Sequence, residues 1–359
     1  MTPINMARAQ IELRYRTNFP LYQAFATRLE TLLEELIAQA GIEIDHIEAR
    51  VKTLESFLGK IEQKKYDDAP FDKIKDLVGM RIVTYYQDDV EKIKALIYHE
   101  FTIDEDHSVD KTTNLEADKF GYRSLHIIIS LAAPRAVLPE WKPYVGLPVE
   151  IQVRSILQHA WAVFSRELDY KVPSQAPDKI RRRLFSLSAQ LELADDEFTR
   201  LREVSRSISQ TYKQEVTQGQ FELPLDLDSL REFMEQHVHP EDWAAIGVQA
   251  GMEAFPLASN KFLSAGIKIL LRTLQAVGIG TIAEFERLLP DIATLHAPLQ
   301  RFVALVKAQG GTIHAVPVDV LALLVSFARA QDVPMGFNWD GKYDRGFVQA
   351  LRQVIQELV

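Results

Sequence analysis

Apolar residues recur every three or four positions along two stretches of the chain, and this spacing predicts long helices. The first stretch begins at Asn18, which suits an N-cap, has Pro20 in its first turn and ends near Gly41. The second runs from Pro177 to about Tyr212. Its apolar positions are Ile180, Leu184, Leu187, Leu191, Leu193, Phe198 and Leu201. We therefore expect a long helix over each stretch.

Shorter segments between these helices are rich in β-branched and aromatic residues, which predicts strands. They lie at about 42–54, 79–86, 101–104, 122–131 and 147–154. A helix capped by Asp88 or Asp89 lies between the second and third strands, and another helix follows the last strand, from about Ser155 to Tyr170. Strands and helices interleaved in this way predict a mixed α/β fold, in which one sheet carries polar residues on an exposed face.

The pattern changes after a linker at 218–224. From there on, Leu, Ala and Val recur at helical spacing, and Gly and Pro interrupt them often. We therefore predict two domains, an α/β domain over residues 1–217 and an all-α domain over residues 225–359.

Composition narrows the class of protein. The 359 residues carry a net charge of −9, so the whole molecule is no polycation, although a local basic groove is still compatible with this charge. The chain has no Cys, which excludes disulfides, thiolate zinc sites and Cys nucleophiles. No apolar run is long enough to cross a bilayer. We expect a cytoplasmic protein with no membrane partner.

Charged side chains recur on one face of the predicted strands. Arg50 and Lys52 are two apart on a strand, so both point the same way. Ser56 and Lys60 follow at helical spacing. The next strand is preceded by a carboxylate, Asp76, and contains Arg81. Cations beside a hard carboxylate are what a triphosphate and its Mg²⁺ require.

The later strands add further polar side chains at two-residue or four-residue spacing. They are Tyr122, His126, Glu150, Gln152, Arg154 and, at the start of the following helix, His159. Each pair alone fits a solvated strand face or a packed pair. Their repetition over four strands, with two isolated carboxylates facing a cluster of cations, favours a binding site.

These residues form five ordered blocks that resemble the RelA/SpoT-type alarmone synthetases over roughly residues 20–215. The blocks are Arg50-Val-Lys52…Ser56…Lys60, Asp76-Leu-Val-Gly-Met-Arg81-Ile, Gly121-Tyr122-Arg-Ser-Leu-His126, Glu150-Ile-Gln152-Val-Arg154 and Leu168-Asp-Tyr170-Lys171. Five blocks in order are far more specific than one motif. The resemblance implies a mixed-sheet, nucleotidyltransferase-like synthetase domain followed by a fused helical domain.

The resemblance also implies residue roles on the side of the donor, ATP. Arg50 and Arg81 would sandwich the adenine. The triphosphate contacts would be Lys52, Ser56 and Lys60.

On the catalytic and acceptor side, Asp76 would bind Mg²⁺. Glu150 would be a second metal ligand or the base on the acceptor hydroxyl, and Tyr122 would stack on the acceptor base. The remaining acceptor contacts would be His126, Gln152, Arg154 and His159.

The implied reaction is ATP-dependent transfer of pyrophosphate to the 3′-hydroxyl of an acceptor. Two acceptors stay open: GTP or GDP, which gives (p)ppGpp, and the 3′ end of tRNA, which would block translation. Family members often have Glu-His where this chain reads Ser165-Arg166-Glu167, and the departure bears on the acceptor more than on ATP. The alternative is a catalytically silent nucleotide sensor that acts through a protein partner.

The resemblance extends to the domain organisation. Only about forty residues precede the first block, so we expect no alarmone hydrolase domain. Some toxic members of the family, including those linked to phage defence, carry a fused antitoxin-like segment. We expect the helical domain to regulate or inhibit the synthetase, with a protein trigger as its candidate partner.

Overall fold

The computed structural model describes residues 3–66, 70–110, 124–167, 177–256, 261–334, 337 and 345–359. The chain forms two compact units, Met1–Arg202 and Glu203–Val359.

The described residues of the first unit form six strands and most of the predicted α/β elements. The strands are β1 (Ile44–Val51), β2 (Val78–Thr84), β3 (Phe101–Ile103), β4 (Val109–Asp110), β5 (Leu125–Leu131) and β6 (Val149–Ser155). The helices are α1 (Pro3–Gln39), α2 (Leu54–Lys64), α3 (Pro70–Lys73), α4 (Gln87–Glu100), α5 (Ala133–Ala136), α6 (Ile156–Glu167) and the first part of α7 (Asp178–Thr217). A 3₁₀ turn spans Lys142–Tyr144.

The six strands form one sheet in the order β1-β2-β6-β5-β3, and β4 pairs with β5. β2 and β6 run parallel, whereas every other pair is antiparallel. The predicted mixed sheet is confirmed.

Residues alternate between the two faces of this sheet. One face is apolar and fully buried, as Met80, Ile82 and Ile151 are at most 2% exposed. Helices α1 and α4 contact these strands and bury Phe25 and Ile93 in the same core. The opposite face carries the charged side chains, because residues two apart on a strand share a face.

Helix α1 begins at Pro3, so the predicted start near Asn18 is wrong. Pro20 lies inside the helix. A proline there removes one backbone hydrogen bond, but Tyr15 and Tyr22 are both buried on either side of it. Packing against the core therefore holds the helix through the proline, and tertiary contacts override the local signal.

The predicted cap of α4 is also wrong. Tyr86 occupies the N-cap position, and Asp88 and Asp89 lie in the first turn. Both carboxylates pair with Arg202 of α7, and Lys92 binds them as well. The two acidic residues therefore join α4 to α7.

Helix α7 spans nearly the predicted residues, but it buries only part of the predicted apolar face. Its buried residues include Ser188 and Asp195, whereas Leu187, Phe198 and Leu201 of the apolar stripe are 47–55% exposed. Ser155 donates a hydrogen bond to Asp195. This hydrogen bond and the packing of Leu184 against Trp161 of α6 therefore both hold the helix in place.

The second unit is helical throughout its described residues, as predicted. After the end of α7 its helices are α8 (Leu227–His237), α9 (Pro240–Gln249), α10 (Lys261–Ala276), α11 (Ile282–Ile292), α12 (His296–Ala308), α13 (Pro317–Ala328) and α14 (Arg345–Leu358). Nearly all of α13 is buried, which is typical of a helix at the centre of a bundle. This unit has an apolar core of its own.

The two compact units meet inside α7, after Arg202. The predicted domains, 1–217 and 225–359, assign all of α7 to the first domain and stay a prediction. In the part of the chain that is described, no helix is long and apolar enough to span a membrane.

Candidate active site

The polar face of the sheet brings together side chains from four strands. In one row of paired residues Arg50 lies opposite Gly79, and Gly79 opposite Glu150. The next row is Glu48, Arg81, Gln152 and His126. Paired residues on neighbouring strands point to the same side, so the sheet gathers these predicted site residues on one surface.

Asp76 lies just before β2, and two lysines converge on it. Lys52 Nζ is 2.9 Å and Lys60 Nζ is 3.0 Å from Asp76 Oδ2. Lys52 follows the end of β1, and Lys60 lies in α2, whose first turn is capped by Thr53. The turn between β1 and α2 therefore brings both ammonium groups to one carboxylate.

The second carboxylate oxygen of Asp76 has no such partner among the described residues. Asp76 Oδ1 is buried and accepts no hydrogen bond from any described residue. A buried carboxylate oxygen without a partner is costly unless something else binds it. This oxygen is therefore suited to a cation.

Glu150 is held in a ladder of hydrogen bonds along β6. Gln152 Nε2 donates to Glu150 Oε2 at 2.8 Å, and Arg154 Nη2 donates to Gln152 Oε1 at 2.8 Å. From β5, His126 Nδ1 lies 3.2 Å from Glu150 Oε1, and Ser124 Oγ lies 2.8 Å from His126 Nε2. These bonds fix the orientation of the carboxylate and of the imidazole.

The environment of Glu150 changes its acidity. Burial by itself raises the pKa of this carboxyl, but the hydrogen bonds from His126 and Gln152 and the charges of His126 and Lys60 outweigh it. The net effect lowers the pKa of Glu150 to about 2. Glu150 is therefore ionised at neutral pH, and Lys60 influences both site carboxylates.

Gly79 leaves room for an arginine on the polar face. A Cβ at this position would lie 3.6 Å from both Cγ and Nε of Arg50. The Arg50 side chain therefore lies over Gly79, while most of it remains exposed. On the neighbouring row Arg81 binds Glu48 of β1. Both arginines are thus fixed at the β1 edge of the site.

Ser56 and His159 lie at the margins of this surface. Ser56 is in the first turn of α2, where its amide and hydroxyl bond to the Thr53 hydroxyl. His159 of α6 packs edge-on against His46 of β1, with ring centroids 5.8 Å apart. His46 shares its row with Arg154, about 13 Å along the strand from Glu150. His159 is therefore at the far end from Asp76.

One predicted acceptor contact, Tyr122, lies outside the described residues, as does the Leu168-Asp-Tyr170-Lys171 block. Three residues that contact the site were not identified from the sequence. Glu48 precedes Arg50 by two positions on β1, and Ser124 precedes His126 by two positions just before β5, so the two-residue period offered a signal. Tyr15, which bonds to the Lys52 carbonyl, lies 37 positions away and offered none.

Comparison with known proteins finds similarity to one family over part of the chain. The model of a region found in RelA/SpoT proteins matches residues 49–175. GTP pyrophosphokinase YjbM of Bacillus subtilis is 27% identical over 167 residues, which cover 44% of this chain and 72% of that protein. GTP pyrophosphokinase YwaC of the same organism is 28% identical over 147 residues, or 38% and 66%.

Among solved structures, the small alarmone synthetase 1 from Bacillus subtilis aligns with 24% identity and a TM-score of 0.45. The alignment covers 55% of this chain and 99% of that one. The matched family region contains all six strands of the sheet except the start of β1, and every side chain of the polar face from Arg50 to His159. Residues 49–175 of this chain are therefore similar to the region found in RelA/SpoT proteins.

Proposed function

We propose that this chain is a pyrophosphokinase that transfers pyrophosphate from ATP to the 3′-hydroxyl of GTP or GDP. The observation that carries the proposal is the convergence of Lys52 and Lys60 on Asp76, at the edge of a surface that also holds an oriented Glu150. Cations and carboxylates in this arrangement suit phosphoryl chemistry, which depends mainly on positioning and charge neutralisation.

The proposed reaction conserves all its groups. The acceptor 3′-oxygen attacks the β-phosphorus of ATP and forms a new P–O bond. The bond from that phosphorus to the oxygen bridging to the α-phosphorus breaks, and AMP leaves. The proton of the hydroxyl passes to a base, and the ionised Glu150 is our candidate for this base.

On the donor side, Arg50 and Arg81 are the candidates for stacking on the adenine. Both lie near the β1 edge, and a planar guanidinium stacks well on an aromatic ring. The triphosphate contacts we propose are Lys52, Ser56 and Lys60. The two lysines are paired with the same carboxylate, Asp76, and two neighbouring cations support this assignment.

A Mg²⁺ ion fits this site because the buried Oδ1 atom of Asp76 has no hydrogen-bond partner among the described residues. Both oxygens of Glu150 accept hydrogen bonds, but a carboxylate oxygen has a second lone pair. Among the described residues, no group of three or more His, Cys, Asp or Glu side chains is placed so that it could hold a metal ion. Mg²⁺ commonly binds through one or two carboxylates and the substrate phosphates. When bound, it would neutralise charge on the transferred group.

On the acceptor side we propose Tyr122 as the stacking platform. The further contacts that we propose are His126, Gln152, Arg154 and His159. The guanosine acceptor is supported by the names of the two Bacillus relatives. A tRNA 3′ end is the second acceptor that the chemistry admits, since it offers the same hydroxyl.

The test is a transfer assay with ATP labelled on its terminal phosphate, run in parallel with GTP, GDP and deacylated tRNA. We expect label in the guanosine nucleotide. Label on tRNA alone would replace the proposed acceptor and identify a translation inhibitor. Binding of ATP without any transfer would support the alternative of a silent nucleotide sensor that acts through a protein partner.

A further inference from the structure

The N-terminal part of α1 lies outside the residues that the family model covers, yet it contacts the elements that carry the cations. Arg8 forms an ion pair of 2.7 Å with Glu62 of α2. The Arg14 guanidinium lies 4.3 Å from the centre of the Phe71 ring in α3. The segment therefore packs against α2, which carries Lys60, and against α3, which lies shortly before Asp76.

Tyr15 makes the contact closest to the site. Its hydroxyl donates a hydrogen bond to the backbone carbonyl of Lys52. Its ring is stacked on Phe57 of α2, with centroids 5.0 Å apart, and is only 2% exposed. Burial, with a smaller contribution from Tyr22, raises the pKa of Tyr15 to about 12, so the hydroxyl remains a donor at neutral pH.

Lys52, whose carbonyl accepts the hydrogen bond from Tyr15, is bonded to the site at two further points. The Lys52 amide donates to the Leu77 carbonyl at 2.9 Å, and Leu77 directly follows Asp76. Lys52 thus has its carbonyl bound from α1, its amide bound next to Asp76 and its ammonium group bound to Asp76 itself. The next residue, Thr53, caps α2, so the position of the Lys52 backbone also affects Lys60.

We propose that Tyr15 is a positioning residue for ATP: by holding the Lys52 carbonyl, it sets the two lysines where the triphosphate binds. Tyr15 itself does not touch the substrate. The proposal rests on the proposed function, because it requires Lys52 and Lys60 to bind ATP.

The test compares two variants of the full chain, each of which lacks one tyrosine hydroxyl of α1. Tyr15→Phe removes the hydroxyl that binds Lys52. Tyr22→Phe removes the hydroxyl of a tyrosine two turns further on, which is also buried and interacts with Asn18 of its own helix. Binding of α,β-methylene-ATP with Mg²⁺ is measured by calorimetry, the melting temperature is measured in parallel, and KM and kcat follow from the transfer assay.

For Tyr15→Phe we expect ATP affinity to fall about three- to ten-fold, the loss typical of one hydrogen bond, with KM rising in step and kcat within two-fold of wild type. Tyr22→Phe should bind like wild type at a similar melting temperature. Equal affinity of Tyr15→Phe and wild type would overturn the proposal, and so would an equal loss in both variants. Wild-type protein that binds no analogue would instead refute the ATP site itself.

Discussion

At the scale of single residues, the two carboxylates of the polar face have different surroundings. Asp76 shares one oxygen between two lysines and has the other free of hydrogen bonds from described residues. Glu150 has both oxygens engaged by neighbouring side chains. This difference suggests that Asp76 is the stronger candidate for the metal and Glu150 for the oriented base.

Asp76→Asn tests the first assignment. The amide keeps the size of the side chain but loses the charge, so transfer should fall by about 100-fold or more. Asp72→Asn, four positions earlier in α3 and exposed, is the matched control. The labelled-ATP assay and the melting temperature give the result. A folded Asp76→Asn variant with near-normal turnover would remove Asp76 from the mechanism.

Glu150 predicts a dependence of stability on pH. Its pKa is lowered from 4.5 to about 2 in the folded protein, so its contribution is complete above about pH 4.5 and is lost as the pH falls towards 2. The total is at most about 3 kcal/mol. Denaturant titrations between pH 6 and pH 3 should show a smaller loss of unfolding free energy for Glu150→Gln than for wild type. Parallel curves for the two proteins would contradict this.

At the scale of elements, the attachment of α7 to α4 depends on one arginine. Arg202 lies between Asp88 and Asp89 and over the ring of Tyr86, at 4.0 Å from its centre. Burial alone raises the pKa of Asp89, but its bonds to Arg202 and Lys92 give a net lowering. Without Arg202 this carboxyl, whose side chain is 4% exposed, keeps Lys92 as its one cationic partner among the described residues.

Arg202→Met should therefore lower the free energy of unfolding by about 3 kcal/mol, the usual effect of removing one partner from a buried ion pair. Arg200→Met, on the same helix with a side chain 72% exposed, should change it by less than about 0.5 kcal/mol. Urea unfolding followed by circular dichroism measures both. Similar midpoints for the two variants would show that the buried pair does not hold α7.

At the scale of the whole molecule, the second unit has its own core, with Phe233, Phe285 and Leu321 each fully buried. It contributes no strand to the sheet among the described residues. Its role in the proposed reaction is therefore regulatory in our interpretation, and we propose that it inhibits the synthetase until a partner protein binds it.

A chain ending at residue 218 tests this inhibition. It keeps the whole of α7 and every described residue of the polar face, so it should transfer pyrophosphate faster than the full chain, and expression should be more toxic to cells. Circular dichroism establishes that the shortened protein is folded. A folded but no more active protein would exclude inhibition by the second unit.

The sequence alone determined most of the strands and long helices, although not all of their ends. It also determined which kinds of side chain form the site. A two-residue period on short β-rich segments is a local property, and it placed Arg50 with Lys52 and Glu150 with Gln152 on shared faces. Helical spacing likewise identified the second unit as all-α. The ordered motifs were sufficient to predict the similarity to RelA/SpoT proteins over residues 49–175, because each block lies within a few consecutive residues.

The tertiary structure decided what depends on contacts between distant residues. The order of the strands, the pairing of Lys52 and Lys60 with Asp76, and the hydrogen bond from Tyr15 join positions that no local period relates. Packing also keeps α1 continuous at Pro20, where the local sequence favours a helix boundary. In α7, Ser188 and Asp195 are buried while Leu187, Phe198 and Leu201 of the apolar stripe are exposed. The local periodicity does not show this, because it depends on hydrogen bonds and ion pairs to distant residues.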